Sequence, residues 1–375
     1  MRRKPSRRGK RKQADRSTDF SQTSGPSKKK RKKEGPPPWD ARRPILSQYR
    51  QFGGGTDSRA GDAGVLDIMN SRKLLQIDGG AGTQRKNREK FLTAARKREK
   101  KRVNINKGYD SDAEDIGTHQ ANEVGFNTHG HADHEFTKAD LKSMGRVLYG
   151  ESPSQAIVDA PIAEEVTTNG EEVFRWRSKH DVKLDGDGPI GRIEWSGTAI
   201  YPGGSTMRAT DENAKSMGIM LKTEWRAMNA AVDNAPLRLH TYVSLGDMTE
   251  RGQESVLDVW SRDGEEPVNI LKLAHHGSLK NFKAIPEGMV NVDTMILSSG
   301  VTKVPAGQFL SELKRIGANP NKTFFLLAKN TEQGRTKAWE GSTTHVKTLE
   351  NAGVRFVNDF IIKFNDLGQV QTLIT

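Results

Sequence analysis

The chain of 375 residues contains no cysteine, so disulfide bonds and thiolate metal ligands are excluded. Aromatic residues make up only 6% of the chain. No uninterrupted apolar run approaches the roughly 18 residues that span a bilayer, and the basic amino terminus is not followed by the apolar core of a secretory signal. We therefore expect an intracellular soluble protein without a membrane partner, in which histidine and aspartate supply any transition-metal ligands.

Positive charge is concentrated at the amino terminus. Residues 1–33 contain 15 lysines and arginines against Asp15 and Asp19, which accounts for the whole net charge of +13, while the remaining residues carry 45 charges of each sign. This segment has almost no apolar residues to offset its ordering entropy, so the sequence predicts a disordered tail. The tail ends on six consecutive cations, which are Lys28, Lys29, Lys30, Arg31, Lys32 and Lys33.

The run of six cations has the composition of a short nuclear-import signal. It predicts an import receptor as a partner and nuclear residence if the host is eukaryotic, and cytoplasmic residence otherwise. A polyanion-binding or merely solubilising tail has the same composition, so that alternative stays open. Three prolines at 36–38 then indicate a stiff spacer. We assign residues 1–45 to the tail and spacer and residues 46–375 to one folded domain.

Histidine is scarce, with nine residues, but five of them fall in two short clusters. The first cluster lies in residues 128–134, here called the histidine loop. Side chains alternate along an extended segment, so His129 and His131 point to the same side and can bind one metal ion. Asp133 and His134 follow as the chain turns and would face a second ion. The pattern predicts a two-metal site that activates water for attack on an ester or phosphoryl centre, with a metal-free surface cluster as the alternative.

The spacing His129-x-His131-x-Asp133-His134 resembles the metal-binding signature of the metallo-β-lactamase superfamily. Further segments stand in the order of that family, namely Gly-Asp-Ala at 61–63, Asp-Gly-Gly at 78–80, Gly-Asp at 246–247 and His-His-Gly-Ser at 275–278. The last two together are similar to the soluble hydrolase domain of competence-type DNA-internalisation proteins and their free-standing relatives. The resemblance covers residues 46–375. It implies an α+β fold, the four-layer αβ/βα sandwich, with metal ligands on loops at one edge of the paired sheets.

The resemblance also implies two divalent metal ions, zinc or manganese, and their ligands. His129 and His131 would hold the first ion, Asp133 and His134 the second, and Asp247 would bridge the two. Asp133 is also assigned to the catalytic group. A helix cap is the alternative role for Asp247, which follows a predicted strand.

Three further assignments depend on the same resemblance. Adjacent side chains diverge, so we expect one ligand from the second cluster; we favour His276 as the ligand and His275 as a substrate-facing acid or phosphate donor. Asp78 is expected to order the histidine loop through hydrogen bonds. Many superfamily members place another histidine ligand before the bridging aspartate, and here the candidates are His180 and His240.

A second basic run lies inside the domain. Residues 85–102 contain ten lysines and arginines against two glutamates, with a modest apolar stripe, and predict a helix with one face on the body. Within it we assign Arg96, Lys97 and Arg98, together with the cations of the tail, to nucleic-acid binding. A solvated helix face is the alternative.

Strand and helix patterns alternate along the domain. The predicted strands are 64–69, 73–77, 125–128, 172–176, 192–199, 218–223, 239–244, 269–274, 294–298, 323–328 and 356–364. The predicted helices are 86–101, 137–147, 254–260, 306–316 and 343–352.

Three functions remain open at this point. The first is a metal-dependent phosphodiesterase or nuclease acting on nucleic acid, because the resembling subgroup is linked to DNA degradation and this chain adds two cationic segments. The second is a hydrolase of a small ester, lactone or phosphoester, because one site type performs all these reactions in different proteins. The third is a tail-targeted nucleic-acid-binding protein with a vestigial hydrolase fold. The sequence leaves the oligomeric state open.

Overall fold

A computed structural model gives the structure of the domain. It describes residues 39–53, 62–68, 73–105, 123–150, 153–166, 173–183, 189–200, 212–227, 237–262, 268–282, 284–299, 305–327, 330–339 and 342–374. The predicted disordered tail, including residues 28–33, lies outside these ranges.

The described residues form two sheets, and the first has eight strands among them. They are β1 (Ile45–Phe52), β2 (Gly64–Ile68), β3 (Lys73–Ile77), β4 (Glu123–Asn127), β5 (Arg146–Tyr149), β6 (Ala163–Glu165), β15 (Asp359–Asn365) and β16 (Val370–Ile374). Their order across the sheet is β16-β15-β1-β2-β3-β4-β5-β6. The pairs from β16 to β3 are antiparallel, and those from β3 to β6 are parallel. The carboxyl ends of β3 and β4 therefore lie at one edge of the sheet, together with the start of β2.

The second sheet likewise has eight strands in the part of the chain that the structure describes. They are β7 (Val173–Lys183), β8 (Pro189–Ile200), β9 (Gly218–Ala227), β10 (Leu237–Ser244), β11 (Ile270–Lys272), β12 (Met295–Ser299), β13 (Thr323–Leu326) and β14 (Arg355–Val357). They follow one another across the sheet in the order of the chain. The pairs from β7 to β10 are antiparallel and those from β10 to β14 are parallel. The carboxyl ends of β10 and β11 therefore share an edge.

In the described ranges, eight helices connect or cover the strands. They are α1 (Gly82–Ile105), α2 (Lys138–Leu141), α3 (Gln155–Val158), α4 (Glu250–Arg262), α5 (Leu279–Phe282), α6 (Ala306–Arg315), α7 (Glu332–Ala338) and α8 (Thr343–Asn351). Short 3-10 turns occupy Glu212–Lys215, Ala274–Gly277 and Pro320–Lys322. Among the described residues, no helix has the length and apolar character needed to cross a membrane.

The two sheets share a buried apolar core. The rings of Tyr49 in β1 and Tyr242 in β10 lie 4.5 Å apart, centroid to centroid, and those of Phe324 in β13 and Phe360 in β15 lie 4.9 Å apart. A second core, centred on Phe309, joins the other face of the second sheet to its helices. Smaller clusters cover the other face of the first sheet. The domain is therefore a mixed α/β fold with two multi-stranded sheets and helices.

Helix α1 is held to the first sheet by ion pairs that are largely enclosed. Arg88 is fully buried and pairs with Asp140 at the start of the next helix. Burial of a charge without a partner would be strongly unfavourable, so this pair fixes how the helix lies on the sheet. The apolar stripe of α1 is weak, so ion pairs supply part of the attachment of the helix to the rest of the domain.

The predicted helix at 137–147 is wrong over its second half. Thr137 caps the short helix α2 through a capping box with Asp140, and the chain then turns at Gly145 into strand β5. The apolar Val147 and Leu148 face opposite sides of a sheet that is covered on both faces, so their run lacks the alternation of a half-buried strand.

The folded part also begins upstream of the expected boundary at residue 46. The backbone N–H of Asp40 donates to Gln369, and Arg43 forms an ion pair with Asp366. Strand β1 was not predicted, because its buried face includes polar residues. Gln48 donates to Asp67 of the neighbouring strand β2, and Tyr49 donates to Gln51 within β1 itself, so side-chain partners satisfy these buried polar groups.

Candidate metal centre

Chemistry-bearing residues from both sheets meet at one edge of the structure. Asp78 directly follows β3, the histidine loop follows β4, Asp247 follows β10, and His276 follows β11. Polar groups gathered at the carboxyl ends of parallel strands are a common arrangement for binding sites in α/β proteins. The backbone N–H of Met217 donates to the carbonyl of Thr128 at 2.7 Å, which joins the histidine loop to the second sheet.

Asp247 lies at the centre of this site. Its Oδ2 atom is 3.6 Å from Nε2 of His134, 3.9 Å from Nε2 of His276 and 4.0 Å from Nε2 of His129. Two ligand atoms bound to one tetrahedral zinc at about 2.1 Å lie about 3.4 Å apart. Three imidazole nitrogens around one carboxylate oxygen at these distances fit the ligand shell of a metal ion.

His129 and His131 form a second close group of possible ligands beside Asp247. Nε2 of His129 and Nδ1 of His131 are 3.0 Å apart. One ligand atom from each of these histidines and one from Asp247 lie within 4.8 Å of one another, so the three could hold an ion together. The structure therefore brings together His129 and His131, predicted from the sequence as ligands of the first ion, and Asp247, predicted as the bridging ligand.

Several buried polar atoms of the site are left unsatisfied. Nε2 of His134, Nδ1 of His276 and Oδ1 of Asp247 have no hydrogen-bond partner among the described residues, although Nζ of Lys272 lies 3.9 Å from that Oδ1. Buried polar atoms are normally paired, and an unpaired group requires an explanation such as a bound ion. Together with the donor set of imidazole and carboxylate, this observation indicates that the residues suit a divalent cation.

Asp78 orders the histidine loop. Its carboxylate accepts hydrogen bonds from the backbone N–H of Thr128 at 2.7 Å and from the Thr128 hydroxyl at 2.8 Å, and it contacts Nδ1 of His134 at 3.0 Å. The contact with Nδ1 leaves Nε2 of His134 facing Asp247. A carboxylate behind a histidine fixes the ring orientation and tautomer of a metal ligand.

Backbone strain is concentrated at the site. In the part of the chain that the structure describes, the non-glycine residues with positive φ are Asp78 at 57°, His275 at 45° and His276 at 57°. This left-handed region is unfavourable for most residues, and such outliers often cluster at functional sites. Glycine supports the close packing nearby, because a Cβ on Gly79 would collide with the carbonyl of Glu135 after the histidine loop.

The electrostatics of the cluster favour metal ligation at neutral pH. Burial holds the pKa of His129 well below its ordinary value, with a further decrease from His134, and burial lowers the pKa of His276 to about 4. Both rings are therefore neutral and have a free lone pair for a metal. Burial would raise the pKa of Asp247, but the charge of the protonated His134 lowers it instead, so this carboxyl is ionised.

His134 has the opposite shift. Burial opposes its charge, but Asp247 and Asp78 outweigh this effect and raise its pKa to about 9. The ring therefore carries a proton when only these carboxylates face it. Binding of a cation at Nε2 would displace that proton, as metal ligands must be deprotonated.

A second group lies on the other side of Asp247. Ligand atoms of Asp62, His134 and Asp247 lie within 4.8 Å of one another. The side chain of Lys272 enters the same place and forms an ion pair with Asp62. Burial lowers the pKa of Lys272 to about 7, whereas the adjacent carboxylate favours the charged ammonium. Sequence reasoning missed both partners as site residues, although the Gly-Asp-Ala at 61–63 was noted.

Other predicted residues have different positions. Asp133 belongs to neither of the two groups found among the described residues, so its roles as ligand and catalytic residue stay predictions. His275 is partly exposed, and its ring centroid is 5.8 Å from that of His276. The side chain of His180 lies outside the described residues. His240 is fully buried against Phe364 in the core between the sheets.

The predicted nucleic-acid contacts in α1 have mixed environments. Arg96 forms a two-pronged ion pair with Glu123, and Arg98 pairs with the buried Asp67, so both cations serve to attach the helix. Lys97 is exposed. Among the described side chains of this helix, Lys86 and Lys90 are also exposed, and they were not singled out in the sequence.

Comparisons with known proteins do not assign the chain to a family. No protein-family model matches it, and no curated protein matches it. Among solved structures, the chain is similar to a protein of unknown function from Enterococcus faecalis V583, with 9% sequence identity over 83% of this chain and 87% of that chain. The TM-score is 0.24, which is too low to support an argument about fold or function.

Proposed function

We propose that the chain is a metal-dependent hydrolase of the metallo-β-lactamase superfamily, built as a four-layer αβ/βα sandwich. The shared core between the two sheets and the helix-lined clusters on their outer faces support this arrangement. The position of the site supports it as well, since the candidate ligands lie on loops at one edge of both sheets.

One observation carries the proposal. Oδ2 of Asp247 is surrounded by imidazole nitrogens of His129, His134 and His276 at 3.6–4.0 Å, and together with Asp247 these residues come from three separate stretches of sequence. A surface histidine cluster has no need to bury a carboxylate among three rings, whereas imidazole and carboxylate groups gathered in one place are a donor set that binds a divalent cation. His129, His131 and Asp247 would hold the ion, and His134 and His276 also face Oδ2 of Asp247.

The reaction class follows from the donor set. A divalent ion held by these imidazole and carboxylate groups would supply a nucleophilic hydroxide at neutral pH and would polarise the oxygen of an ester or phosphoryl group. The protein residues orient these ligands and exclude water, since His129, His134 and Asp247 are buried. His275 is partly exposed beside the site and is our candidate for donating a hydrogen bond or proton to the substrate.

A nucleic-acid phosphodiester is the proposed substrate. Helix α1 starts four residues after Asp78, and Arg85 near its beginning donates to the carbonyls of Ala132 and Glu135 around the histidine loop. The exposed face of this helix includes Lys86, Lys90 and Lys97 with one glutamate. Exposed cations that extend from a hydrolytic site attract a phosphate backbone in a salt-dependent manner.

The test is a cleavage assay with the full chain and matched variants. Labelled single- and double-stranded DNA and RNA are incubated with manganese or zinc, and a generic phosphodiester and a lactone are included. We expect cleavage of a nucleic acid that is lost in Asp247→Asn and retained in Asp293→Asn, an exposed aspartate. A metal-loaded, folded wild type that cleaves only the lactone or the generic phosphodiester would contradict the nuclease assignment. Absence of any hydrolysis would contradict hydrolase function.

A further inference from the structure

A buried lysine adjoins the candidate metal centre. Lys272 ends strand β11, and only 2% of its side chain is exposed. Its Nζ atom forms an ion pair with Asp62, donates to the carbonyl oxygen of Gly246 at 3.4 Å, and lies 3.9 Å from Oδ1 of Asp247. Lysine is almost never fully buried unless it is paired, so this position meets a specific electrostatic requirement.

The ammonium group occupies the position of the second candidate cation. Asp62, His134 and Asp247 have ligand atoms close enough to share an ion, and the two carboxylates of that group are the ones that face Lys272. An ammonium group donates three hydrogen bonds and accepts none, so it replaces a cation but cannot be a ligand for one.

The two oxygens of Asp247 are divided between two environments. Oδ2 faces the imidazoles of His129, His134 and His276, while Oδ1 faces Lys272. A second divalent ion between Asp62 and Asp247 would lie directly beside the ammonium group, where like charges repel strongly because the surroundings exclude water. The geometry therefore favours one ion on the imidazole side only.

We propose that Lys272 supplies the second cation of this site in place of a metal ion, so that the chain binds one divalent ion, at His129, His131 and Asp247. This inference rests on the proposed function, because it presumes that the imidazole side binds a metal. It differs from the two-ion site that the sequence resemblance implies. Asp62 acts here as the counter-ion that positions Lys272.

The experiment counts bound ions. The full chain is stripped with a chelator, reloaded with manganese, passed through gel filtration and analysed for metal per chain by mass spectrometry. Electron paramagnetic resonance then distinguishes a single Mn²⁺ from an exchange-coupled pair. For the wild type we expect one ion per chain and an uncoupled spectrum.

Variants test whether Lys272 is the cause of that count. Lys272→Met keeps the length of the side chain and removes the charge, so Asp62 becomes available and the count should rise to two with a coupled spectrum. The double variant Lys272→Met with Asp62→Asn should return to one ion, since the new ligand is lost. Lys314→Met, at an exposed position in α6, is the control and should stay at one.

The outcomes separate this inference from the proposed function. Two ions in the wild type would overturn the role of Lys272 and leave the metal-dependent hydrolase intact. No ion in the folded wild type would overturn both. A folded Lys272→Met that still binds one ion would also contradict the inference. If circular dichroism shows that this variant is unfolded, the wild-type count decides, together with Lys272→Arg, which retains the charge and should bind one ion.

Discussion

Replacement of Asp78 by asparagine tests how the histidine loop is held. Asp78 has a φ of 57°, and asparagine tolerates this region, so the change removes the negative charge with little backbone strain. The carboxylate accepts two hydrogen bonds from Thr128 and contacts Nδ1 of His134. The asparagine amide can replace one acceptor only, and its NH₂ group cannot accept a hydrogen bond from either neighbour.

The expected effect is on metal affinity. Loss of a group that orients a metal ligand typically weakens binding about 10- to 100-fold. At a metal concentration 1,000 times the wild-type dissociation constant, binding stabilises the wild type by about 4.1 kcal/mol. At the same concentration the variant would gain only about 1.4–2.7 kcal/mol. The measurement is urea unfolding of each protein with and without the metal.

Asp140→Asn is the matched control. Asp140 is also buried, and its carboxylate accepts hydrogen bonds from Arg88 and twice from Thr137, but it lies at the start of α2. This variant should lose stability with and without metal and keep the full increment of about 4.1 kcal/mol. An Asp78→Asn protein that keeps the full increment would refute our account of the histidine loop.

Two further predictions concern the core and the basic helix face. Burial lowers the pKa of His240 to about 3, below its ordinary value of 6.5, so the unfolded chain binds more protons between these pH values and stability falls as pH drops. His240→Phe should remove about 2 kcal/mol of the stability loss between pH 7.5 and pH 5, measured by urea unfolding. Changing Lys86, Lys90 and Lys97 together to glutamine should weaken duplex DNA binding and reduce the salt slope by about 2.7.

Each of these predictions has a contrary result. An unchanged pH dependence in His240→Phe would show that another group is responsible for the acid sensitivity. For DNA binding, the control replaces three exposed lysines on other helices with glutamine, Lys314, Lys337 and Lys347. An equal loss of affinity in that control would indicate a general charge effect without a binding surface on α1.

Local sequence predicted the part of the site that is local in space. His129, His131 and His134 lie within six positions, so crowding in the chain already places their rings near one another. Asp247 and His276 required a resemblance to a known family, because nothing in their own segments specifies that β10 and β11 end beside β4. In the structure, Oδ2 of Asp247 lies 3.9 Å from Nε2 of His276 and 3.6 Å from Nε2 of His134 in the histidine loop.

The pair of Asp62 and Lys272 could not be predicted from its residues. The two residues are 210 positions apart and belong to different sheets. In the sequence, the lysine of β11 is simply a polar residue in an apolar run. The pairing depends on strand direction, since β2 runs antiparallel to β3 and β10 runs parallel to β11. These directions bring the start of β2, beside Asp62, to the end of β11, where Lys272 lies. Such a contact exists only after both sheets form.

Most strands were recognised from their apolar patterns, and the exceptions have physical causes. The antiparallel strand β1 contains Gln48 and Gln51, which are buried because neighbouring side chains satisfy them. His240 illustrates the same limit, since its position in a strand gives no sign that Phe364 covers its ring. For Gln48 and His240 the deciding partner comes from another strand.

Anomalous diffraction from a crystal of the full chain soaked with zinc or manganese is the most direct test of the central claim. We predict a peak within about 2.0–2.2 Å of ligand atoms from His129, His131 and Asp247. A folded protein with no anomalous peak between these side chains, at metal concentrations that saturate binding in solution, would contradict the assignment of this edge of the two sheets as a metal centre.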